Sequence, residues 1–253
     1  MIKINYTTMK PALFYSIFSL AGSVTAPLFG AWELFDNFEA GVVGWVSNGQ
    51  AQAIIETVED PKDSSNSVLK VDSNDYGVGW GITFLIKELP KTIPEGGTGT
   101  FYYRVYLDGG TSSNYGFGLI DVPLIVDPGT GYATQPSNWP DFEPVSVIAD
   151  GNYTIRNAGA YIAPERLPTV SPGQWYEFWV VANNAIGTVD DDSKTYYRTD
   201  GMSAPQLLQI DDDGTIYDSA LFRNGTTDPL TSFMIGTLSG DPASPYLGDL
   251  LYL

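Results

Sequence analysis

Apolar residues in this chain recur at every second position, and no stretch sustains the 3.6-residue period of an amphipathic helix. The clearest alternating runs are residues 77–86, 100–107, 114–122, 145–156 and 174–182. Turn-forming residues separate these runs, and the chain contains 27 Gly and 17 Pro. The pattern predicts an all-β fold of about ten short strands, arranged as an antiparallel β-sandwich of the jelly-roll type.

Several neighbouring runs are predicted to pair as hairpins. One pair lies within 145–156 around Asp150-Gly151, and another joins 207–210 to 215–218 through the turn DDDG. The runs 174–182 and 194–199 flank an acidic loop. The runs 100–107 and 114–122 also read as a hairpin, which would make Asp121 a neighbour of Arg104. The Pro-rich segment 123–144 is expected to form a long functional or covering loop.

Residues 1–31 resemble a secretory signal. A basic start with Lys3 and Lys10 leads into an apolar stretch that is too short and too often broken by Gly and Pro for a membrane span. The alternative is a buried N-terminal helix. Residues 32–253 contain no evident linker or repeat and are predicted to form a single domain. We therefore expect a secreted, extracellular protein, and export without cysteine favours a bacterial source.

The composition excludes several classes of function. A net charge of −18 with 12 Lys and Arg argues against nucleic acid and anionic membranes as partners, since both require a basic surface. The chain contains no Cys and no His, so disulfides, thiolate metal sites and His-based catalytic triads are excluded. The many Asp residues fit either solvated loops or oxygen ligands for calcium.

Four segments resemble parts of known secreted sandwich domains. FDNFEAGVVGW (35–45) with the following NGQA, and VEDPKDSSNSVLKVDS (58–73), are similar to the first two strands of jelly-roll carbohydrate-binding modules. PGQWYEFWVVANN (172–184) looks like a strand of laminin-G-like and concanavalin-A-like domains. YLGDLLYL (246–253) resembles the closing strand that pairs with the first. The resemblance spans residues 33–253 and implies a carbohydrate-binding sandwich.

The resemblance also implies a structural calcium ion. In such modules an acid near the first strand and an Asp in the last strand share the ion, and Glu39 and Asp249 match those positions, with Asp36 as a third ligand. The ion would link the two chain ends in place of a disulfide. Gly248 departs from the pattern, because many relatives carry an Asp there. The alternative is that these acids are exposed edge charges that discourage aggregation.

One strand carries a candidate ligand-binding face. Tyr102, Arg104 and Tyr106 share a face, and three interpretations are open: sugar binding, an Arg packed over aromatic rings, or a lyase site in which Arg neutralises a uronate. Tyr132 and Trp139, in the Pro-rich loop, are the aromatic residues expected to be exposed and to join this surface. Core positions are predicted for Trp45, Trp80, Trp175 and Trp179.

The sequence contains no complete catalytic set. Glu33, Asp36 and Glu39 are spaced by three, which puts successive acids on opposite faces of a strand and argues against a retaining glycosidase pair. We interpret the chain as a secreted, non-catalytic polysaccharide-binding module, with calcium as a separate prediction. One alternative is a polysaccharide lyase on a jelly-roll scaffold. The other is an extracellular filament or surface-layer subunit that assembles through its terminal strands.

Overall fold

The computed structural model describes residues 32–48, 54–72, 82–108, 115–136, 141–149, 152–162, 170–238, 244–247 and 250–252. The regular structure of these residues is β, in 21 strands numbered β1 to β21 in chain order. A search of the same residues for a helix long and apolar enough to cross a membrane finds none. The predicted signal segment 1–31 lies outside the described residues and stays a prediction.

Ten strands form the larger sheet. They are β1 (Glu33–Asp36), β3 (Ile54–Asp60), β4 (Asp63–Asp72), β6 (Gly97–Asp108), β13 (Trp175–Asn184), β14 (Asp192–Thr199), β15 (Gln206–Leu207), β18 (Ala220–Leu221), β20 (Ser244–Leu247) and β21 (Leu250–Tyr252). The main order is β15-β14-β13-β6-β20-β4-β3, while β21 pairs with β6 and β1, and β18 pairs with β14.

Seven strands form the smaller sheet. They are β2 (Val46–Ser47), β5 (Ile82–Ile93), β7 (Tyr115–Ile120), β10 (Phe142–Ala149), β11 (Asn152–Asn157), β12 (Ala160–Ile162) and β19 (Leu230–Leu238), in the order β12-β11-β10-β7-β19-β5-β2. Two separate ribbons complete the described strands: β8 (Ile125–Val126) with β9 (Ala133–Gln135), and β16 (Ile210–Asp212) with β17 (Thr215–Tyr217).

Aromatic side chains fill the space between the two sheets. Phe101 of the larger sheet stacks on Phe233 of the smaller sheet with ring centroids 4.4 Å apart, and Tyr103 stacks on Phe117 at 5.4 Å. Each such pair adds roughly 0.5–1.5 kcal/mol beyond the burial of its apolar area. The prediction of an antiparallel β-sandwich is confirmed, and the strands outnumber the predicted ten because many short pairs interrupt the loops.

The two hairpins predicted from compact turn signals are confirmed. Ala149 pairs with Asn152, and Asp212 pairs with Thr215. Strands β13 and β14 also pair directly. Asp213 and Gly214 have positive φ angles of 53° and 80°, as a type I′ turn requires, so the Asp-rich stretch before β17 is a hairpin turn.

The predicted hairpin of residues 100–107 with 114–122 is wrong. Strand β6 lies in the larger sheet and β7 in the smaller sheet, so the chain crosses between layers at this connection. Arg104 forms its ion pair with Asp60 instead of Asp121. A Gly-rich connection in the sequence indicates a turn. Which sheet the next strand joins depends on its contacts with strands that are distant in sequence.

The two ends of the domain meet, as predicted. Strand β1 pairs with β21 in an antiparallel arrangement, with Leu34 opposite Leu251 and Asp36 opposite Leu250. The register shifts between Leu34 and Asp36, as it does at a β-bulge. The first and last strands therefore share one edge region of the larger sheet.

The described part of the Pro-rich segment packs on the outer face of the smaller sheet, as expected of a covering loop. Ala133 is buried there with Phe84, Phe142 and Met234, and Leu124 packs against the same cluster. Phe84 and Met234 belong to the smaller sheet and alternate along their strands with residues that face the larger sheet. Trp80 and Trp139 lie outside the described residues.

A buried carboxylate holds the loop before β19. Glu143 accepts hydrogen bonds from the backbone nitrogens of Asn224 and Gly225 at 3.0 and 3.1 Å, and from Asn224 Nδ2 at 3.1 Å. Burial raises the pKa of Glu143 above its usual range, the bonds from Asn224 oppose the rise, and repulsion from Asp121 adds to it.

This raised pKa predicts a pH dependence of stability. The native state binds the Glu143 proton more tightly than the unfolded chain, so the stabilisation is complete below the ordinary pKa of 4.5 and is lost as pH rises through the folded pKa. Between those limits one proton changes the free energy of unfolding by at most about 1.4 kcal/mol per pH unit. Urea unfolding at several pH values should show a shallower decline for Glu143→Gln than for the unsubstituted protein.

Glu88→Gln is the matched control, because Glu88 is exposed and the substitution removes the same charge. Its stability should decline with pH as steeply as that of the unsubstituted protein. Equal slopes for all three proteins would contradict the assignment to Glu143.

Candidate binding cleft on the larger sheet

Strand β6 presents two different faces because its side chains alternate. Phe101, Tyr103 and Val105 face the core between the sheets. The intervening residues Tyr102, Arg104 and Tyr106 therefore lie on the outer face of the larger sheet. The structure thus places the three predicted binding residues on one face, as the sequence pattern indicates.

Strand β13 lies beside β6 and continues this outer face. The cross-strand partners are Tyr106 with Trp175, Arg104 with Glu177, and Tyr102 with Trp179. The Tyr106–Trp175 and Tyr102–Trp179 ring centroids are 5.4 and 5.1 Å apart. The two tyrosines expose 3% (Tyr102) and 7% (Tyr106) of their surface, so their rings support the charged residues and leave little area for a stacked sugar.

Arg104 is held by an acid and an indole. Its Nη2 donates to Asp60 Oδ2 at 3.0 Å, and its guanidinium carbon lies 4.2 Å from the centre of the Trp175 ring. Trp175 Nε1 donates to the other oxygen of the same carboxylate at 3.2 Å. Asp60 is buried at the end of β3, and it fixes both neighbours through one side chain.

Arg198 forms a second arrangement of the same kind one strand further along. Arg198, on β14, lies opposite Glu177 of β13, and its Nε donates to Glu177 Oε2. Tyr102 donates its hydroxyl to Glu177 Oε1 at 3.1 Å, and the Arg198 guanidinium lies 5.7 Å from the Trp179 ring. The hydrogen bond with Glu177 raises the pKa of Arg198, so this cation stays charged at any physiological pH.

An open cleft of about 220 Å³ lies between these two arrangements. Its lining consists of Arg104, Trp175, Glu177, Arg198, Thr199, Asp200, Gly201 and Met202. The walls therefore offer guanidinium donors, carboxylate acceptors and a hydroxyl within one small volume. Such groups can bond neighbouring hydroxyls of a ligand in both directions, as donors and as acceptors.

The structure separates the other predicted binding residues from this cleft. Tyr132 is 49% exposed, as expected, but it precedes Ala133, which packs on the outer face of the smaller sheet. Tyr132 thus belongs to the opposite side of the sandwich from Arg104. Trp139 lies outside the described residues, so its predicted role stays a prediction.

The tryptophans behave differently from one another. Trp45 packs against the core, with its ring 6.1 Å from Phe38 and nearly parallel to it, as predicted. Trp175 and Trp179 are buried, but they lie on the outer face of the larger sheet instead of between the sheets. On that face Trp175 contacts Arg104, and Trp179 lies near Arg198. The two rings are therefore buried and also lie at the candidate site.

The predicted calcium ligands have protein partners where they are described. The Asp36 carboxylate accepts from Lys87 Nζ at 2.6 Å and from Trp45 Nε1 at 2.7 Å, and Glu39 Oε1 accepts from Ser67 N at 2.9 Å. Asp249 lies outside the described residues. Within the described ranges, no group of three or more His, Cys, Asp or Glu side chains is arranged to hold a metal. The chain-end calcium therefore stays a prediction, and Asp36 already has a structural role.

Of the residues that line the cleft, only Arg104 was identified as a candidate from the sequence. The charged and aromatic residues missed are Trp175, Glu177, Arg198 and Asp200, together with Asp60, which holds Arg104 from outside the lining. Trp175, Glu177 and Trp179 alternate within one strand, and this spacing predicts a shared face like that of β6. No comparable signal marks Asp60, because it reaches Arg104 from a strand 44 residues earlier.

Comparison with known structures finds the same architecture in proteins of very different sequence. An endo-β-1,4-glucuronan lyase from the fungus Trichoderma reesei superposes with a TM-score of 0.51 and 14% identity, over 83% of this chain and 91% of that chain. Lectin I-B4 from Griffonia simplicifolia gives 0.49 and 12%, over 88% and 99% of the two chains. The globular domain of T. cruzi calreticulin gives 0.48 and 13%, over 88% and 87%.

These identities are low, so the likeness concerns the fold of the sandwich. Neither a protein-family model nor a curated protein sequence matches the chain. The class that fold and cleft together define is an all-β antiparallel sandwich of the jelly-roll type, with a polar cleft on the outer face of its larger sheet.

Proposed function

We propose that this protein is a secreted module that binds polysaccharide in the cleft on the larger sheet without cleaving it. The observation that carries the proposal is the pair of Arg–carboxylate arrangements, Arg104 with Asp60 and Arg198 with Glu177, that face one cleft and are backed by tryptophan rings. The resemblance of residues 1–31 to a secretory signal supports the proposed extracellular location.

The cleft suits sugar hydroxyls for a physical reason. Each hydroxyl both donates and accepts, and the cleft supplies fixed cations and fixed anions side by side. The ion pairs and the rings beneath them hold the long side chains in place, which lowers the entropy lost when a ligand binds. A hydrogen bond to a charged partner is worth about 1.5–3 kcal/mol, and several such bonds suffice for the affinity of a binding module.

A neutral polysaccharide fits the cleft better than a polyuronate. Both guanidinium groups already face a carboxylate, and Asp200 adds another acid to the lining. The chain as a whole carries a net charge of −18, which repels a polyanion at long range. We therefore infer that the ligand is an uncharged glycan that exchanges hydrogen bonds with the paired charges.

Native affinity electrophoresis of the protein in gels containing neutral or acidic polysaccharides tests this proposal. We expect retardation in at least one neutral polymer, and weaker or no retardation in polyuronates at equal concentration. Absence of retardation in every polymer would contradict the binding function, and retardation confined to polyuronates would contradict the neutral ligand.

Substitutions in the cleft should weaken binding without unfolding the domain. Arg198→Ala removes a cation of the lining, and Asp200→Asn removes an exposed acid of the same cleft. Each loss of a charge-assisted bond should lower the affinity about tenfold or more. Tyr132→Ala, which removes an exposed ring on the opposite side of the sandwich, is the matched control and should bind like the unsubstituted protein.

A polysaccharide lyase is the second candidate, and one contact favours it. The Tyr102 hydroxyl donates a hydrogen bond to Glu177, and the Arg198 guanidinium donates to the same carboxylate. The Glu177 carboxylate is thus a proton acceptor beside a cation that could neutralise a uronate. The shared fold with a glucuronan lyase provides the scaffold. Activity on a uronate polymer would appear as new absorbance from unsaturated chain ends, lost in Arg198→Ala.

An assembly subunit remains the alternative if no glycan binds. Pairing between the terminal strands of separate copies would then give particles that grow with protein concentration. Sedimentation velocity over a range of concentrations, with and without calcium, distinguishes such assembly from a monomeric binding module.

A further inference from the structure

The loop before β19 contains a pair of residues that is prone to spontaneous chemical change. Asn224 and Gly225 form one of the two Asn-Gly pairs in the chain, and Asn48 and Gly49 form the other. In such a pair the glycine nitrogen can attack the asparagine side chain, because glycine has no side chain to hinder the approach. An Asn-Gly pair in a loop is therefore a site where a chain can modify itself without an enzyme.

The reaction is an intramolecular deamidation. The Gly225 nitrogen loses its proton to a base in the solvent and attacks Cγ of Asn224. The N–Cγ bond forms, the Cγ–Nδ2 bond breaks, and Nδ2 leaves as ammonia, so the product is a cyclic imide. Water then opens the ring at either carbonyl and gives aspartate or isoaspartate. The reaction therefore requires a free Gly225 N–H, a free side-chain amide and a backbone that can rotate between them.

One carboxylate holds both of the nitrogens that would react. Glu143 Oε2 accepts a hydrogen bond from the Gly225 nitrogen, the nucleophile, at 3.1 Å. Glu143 Oε1 accepts from Asn224 Nδ2, the leaving group, also at 3.1 Å. Oε2 accepts in addition from the Asn224 backbone nitrogen at 3.0 Å. All three partners are donors, which is the environment that suits an ionised carboxylate.

The negative charge of Glu143 opposes the first chemical step. Loss of the Gly225 proton would leave an anionic nitrogen 3.1 Å from the carboxylate, and a like charge so close disfavours that ionisation. The hydrogen bond must also break before the nitrogen can turn toward Cγ. A bond to a charged acceptor is stronger than one between neutral groups, so this opening is costly.

The backbone of the pair has little room to rotate. Gly225 has a positive φ of 71°, and a Cβ atom at this position would lie 2.2 Å from the Thr188 carbonyl oxygen. Burial does not supply the protection, because Asn224 is exposed and water can reach it. The restraint on the reaction therefore comes from the contacts with Glu143 and from the packing against Thr188.

We propose that Glu143 protects the protein from deamidation at Asn224-Gly225 by binding the attacking nitrogen and the leaving amide together. The reaction would damage the loop, because either product replaces the donor Nδ2 with a carboxylate that repels Glu143. Isoaspartate would also lengthen the main chain where Gly225 packs against Thr188. The buried acid therefore controls the chemical lifetime of this loop as well as its position.

This inference does not depend on the proposed function. Glu143, Asn224 and Gly225 do not line the cleft on the larger sheet. A protein that binds no glycan would leave the inference intact, and a protein that deamidates quickly would leave the binding function intact.

Incubation at mildly alkaline pH, followed by peptide mass spectrometry, tests the proposal. We expect Asn224 to deamidate about tenfold more slowly, or slower still, in the folded protein than in the urea-unfolded chain. Glu143→Gln keeps the shape of the side chain and removes its charge, and it should recover most of that factor while circular dichroism shows the fold intact. Asn48, which bonds to Phe84 of another strand, is the internal reference and should react at the same rate in both proteins.

Thr226→Val is the matched control for general loosening of the loop. It removes a different hydrogen bond of the same loop, the one from Asp228 N to Thr226 Oγ1 at 2.9 Å. The contacts with Glu143 remain in this variant. Asn224 should therefore stay as slow to deamidate as it is in the unsubstituted protein.

Hydrogen exchange provides a second test that needs no variant. In alkaline solution the exchange of a backbone N–H begins with the same proton loss that starts deamidation. The Gly225 N–H of the folded protein should exchange about tenfold more slowly than in the unfolded chain, or slower still. This measurement decides the matter if Glu143→Gln does not fold, and exchange at the unfolded-chain rate would then contradict the proposal.

The deamidation rates can contradict the proposal in three further ways. Equal rates at Asn224 in the folded and unfolded protein would show that nothing protects the pair. Equal acceleration in Glu143→Gln and Thr226→Val would assign the protection to the rigidity of the loop. An unchanged or slower reaction in folded Glu143→Gln would show that the carboxylate does not protect the pair or acts as a base that promotes the attack.

Discussion

Replacing Asp60 with Asn is expected to lower the free energy of unfolding by roughly 3 kcal/mol, the lower end of the range for breaking a buried ion pair. The carboxylate binds Arg104 and Trp175 at once, and the substitution removes the negative charge that pairs with the Arg104 guanidinium. The Arg104 side chain retains 18% exposure, which limits the cost. For a domain of this size the melting temperature should fall by about 6–12 °C.

Asp63→Asn is the control for this prediction. Asp63 belongs to the same β3–β4 hairpin and is exposed, with its Oδ1 bonded to Ser65. Its substitution should change stability by about 0.5 kcal/mol or less. Urea unfolding of both variants at neutral pH makes the comparison. If Asp60→Asn is no less stable than Asp63→Asn, the pairing between Asp60 and Arg104 contributes nothing to the fold.

Replacing Gly225 with Ala should have a comparable or larger effect. Gly225 has a positive φ of 71°, and a Cβ atom at this position would lie 2.2 Å from the Thr188 carbonyl oxygen. The clash is hard to relieve, because the Thr188 oxygen is a backbone atom and the Gly225 nitrogen is held by its hydrogen bond to Glu143. We expect a loss of about 4 kcal/mol or a failure to fold, measured by urea unfolding or by soluble yield.

Gly131→Ala separates the clash from the backbone angle. Gly131 has a similar positive φ of 76°, but no atom lies within 4 Å of its added Cβ. It should lose only the roughly 1–2 kcal/mol that the left-handed conformation imposes on a non-glycine residue. If the two alanine variants are equally stable, the close approach of the Gly225 and Thr188 backbones is not a constraint on the fold.

The Asp60 prediction and the proposed function depend on the same arrangement. Asp60 holds two residues of the cleft lining, Arg104 and Trp175, so Asp60→Asn should weaken both the fold and the affinity for a glycan. Gly225 does not line the cleft. A folded Gly225→Ala variant should therefore be less stable and still bind a glycan like the unsubstituted protein.

Local patterns determined much of what the sequence predicts correctly. Alternation along β6 and β13 indicates which side chains share a face, because the two-residue period of a strand is a local property of the backbone. The Asp-Gly turns predict their hairpins for the same reason, since positive φ angles select particular residues. The pairing of the first and last strands was reached by resemblance to known domains, and the structure confirms it.

Tertiary structure alone decided which faces look outward and which distant residues meet. The pattern of β13 is the same whether Trp175 lies between the sheets or outside them, and only the position of the second sheet distinguishes these cases. It also separated Tyr132 from Arg104 and brought Asp60 to Arg104, because those relations depend on contacts between segments far apart in the chain. The sequence by itself determined the strands and their alternation, which short-range sterics control, whereas the cleft arises from the long-range packing of one sheet on another.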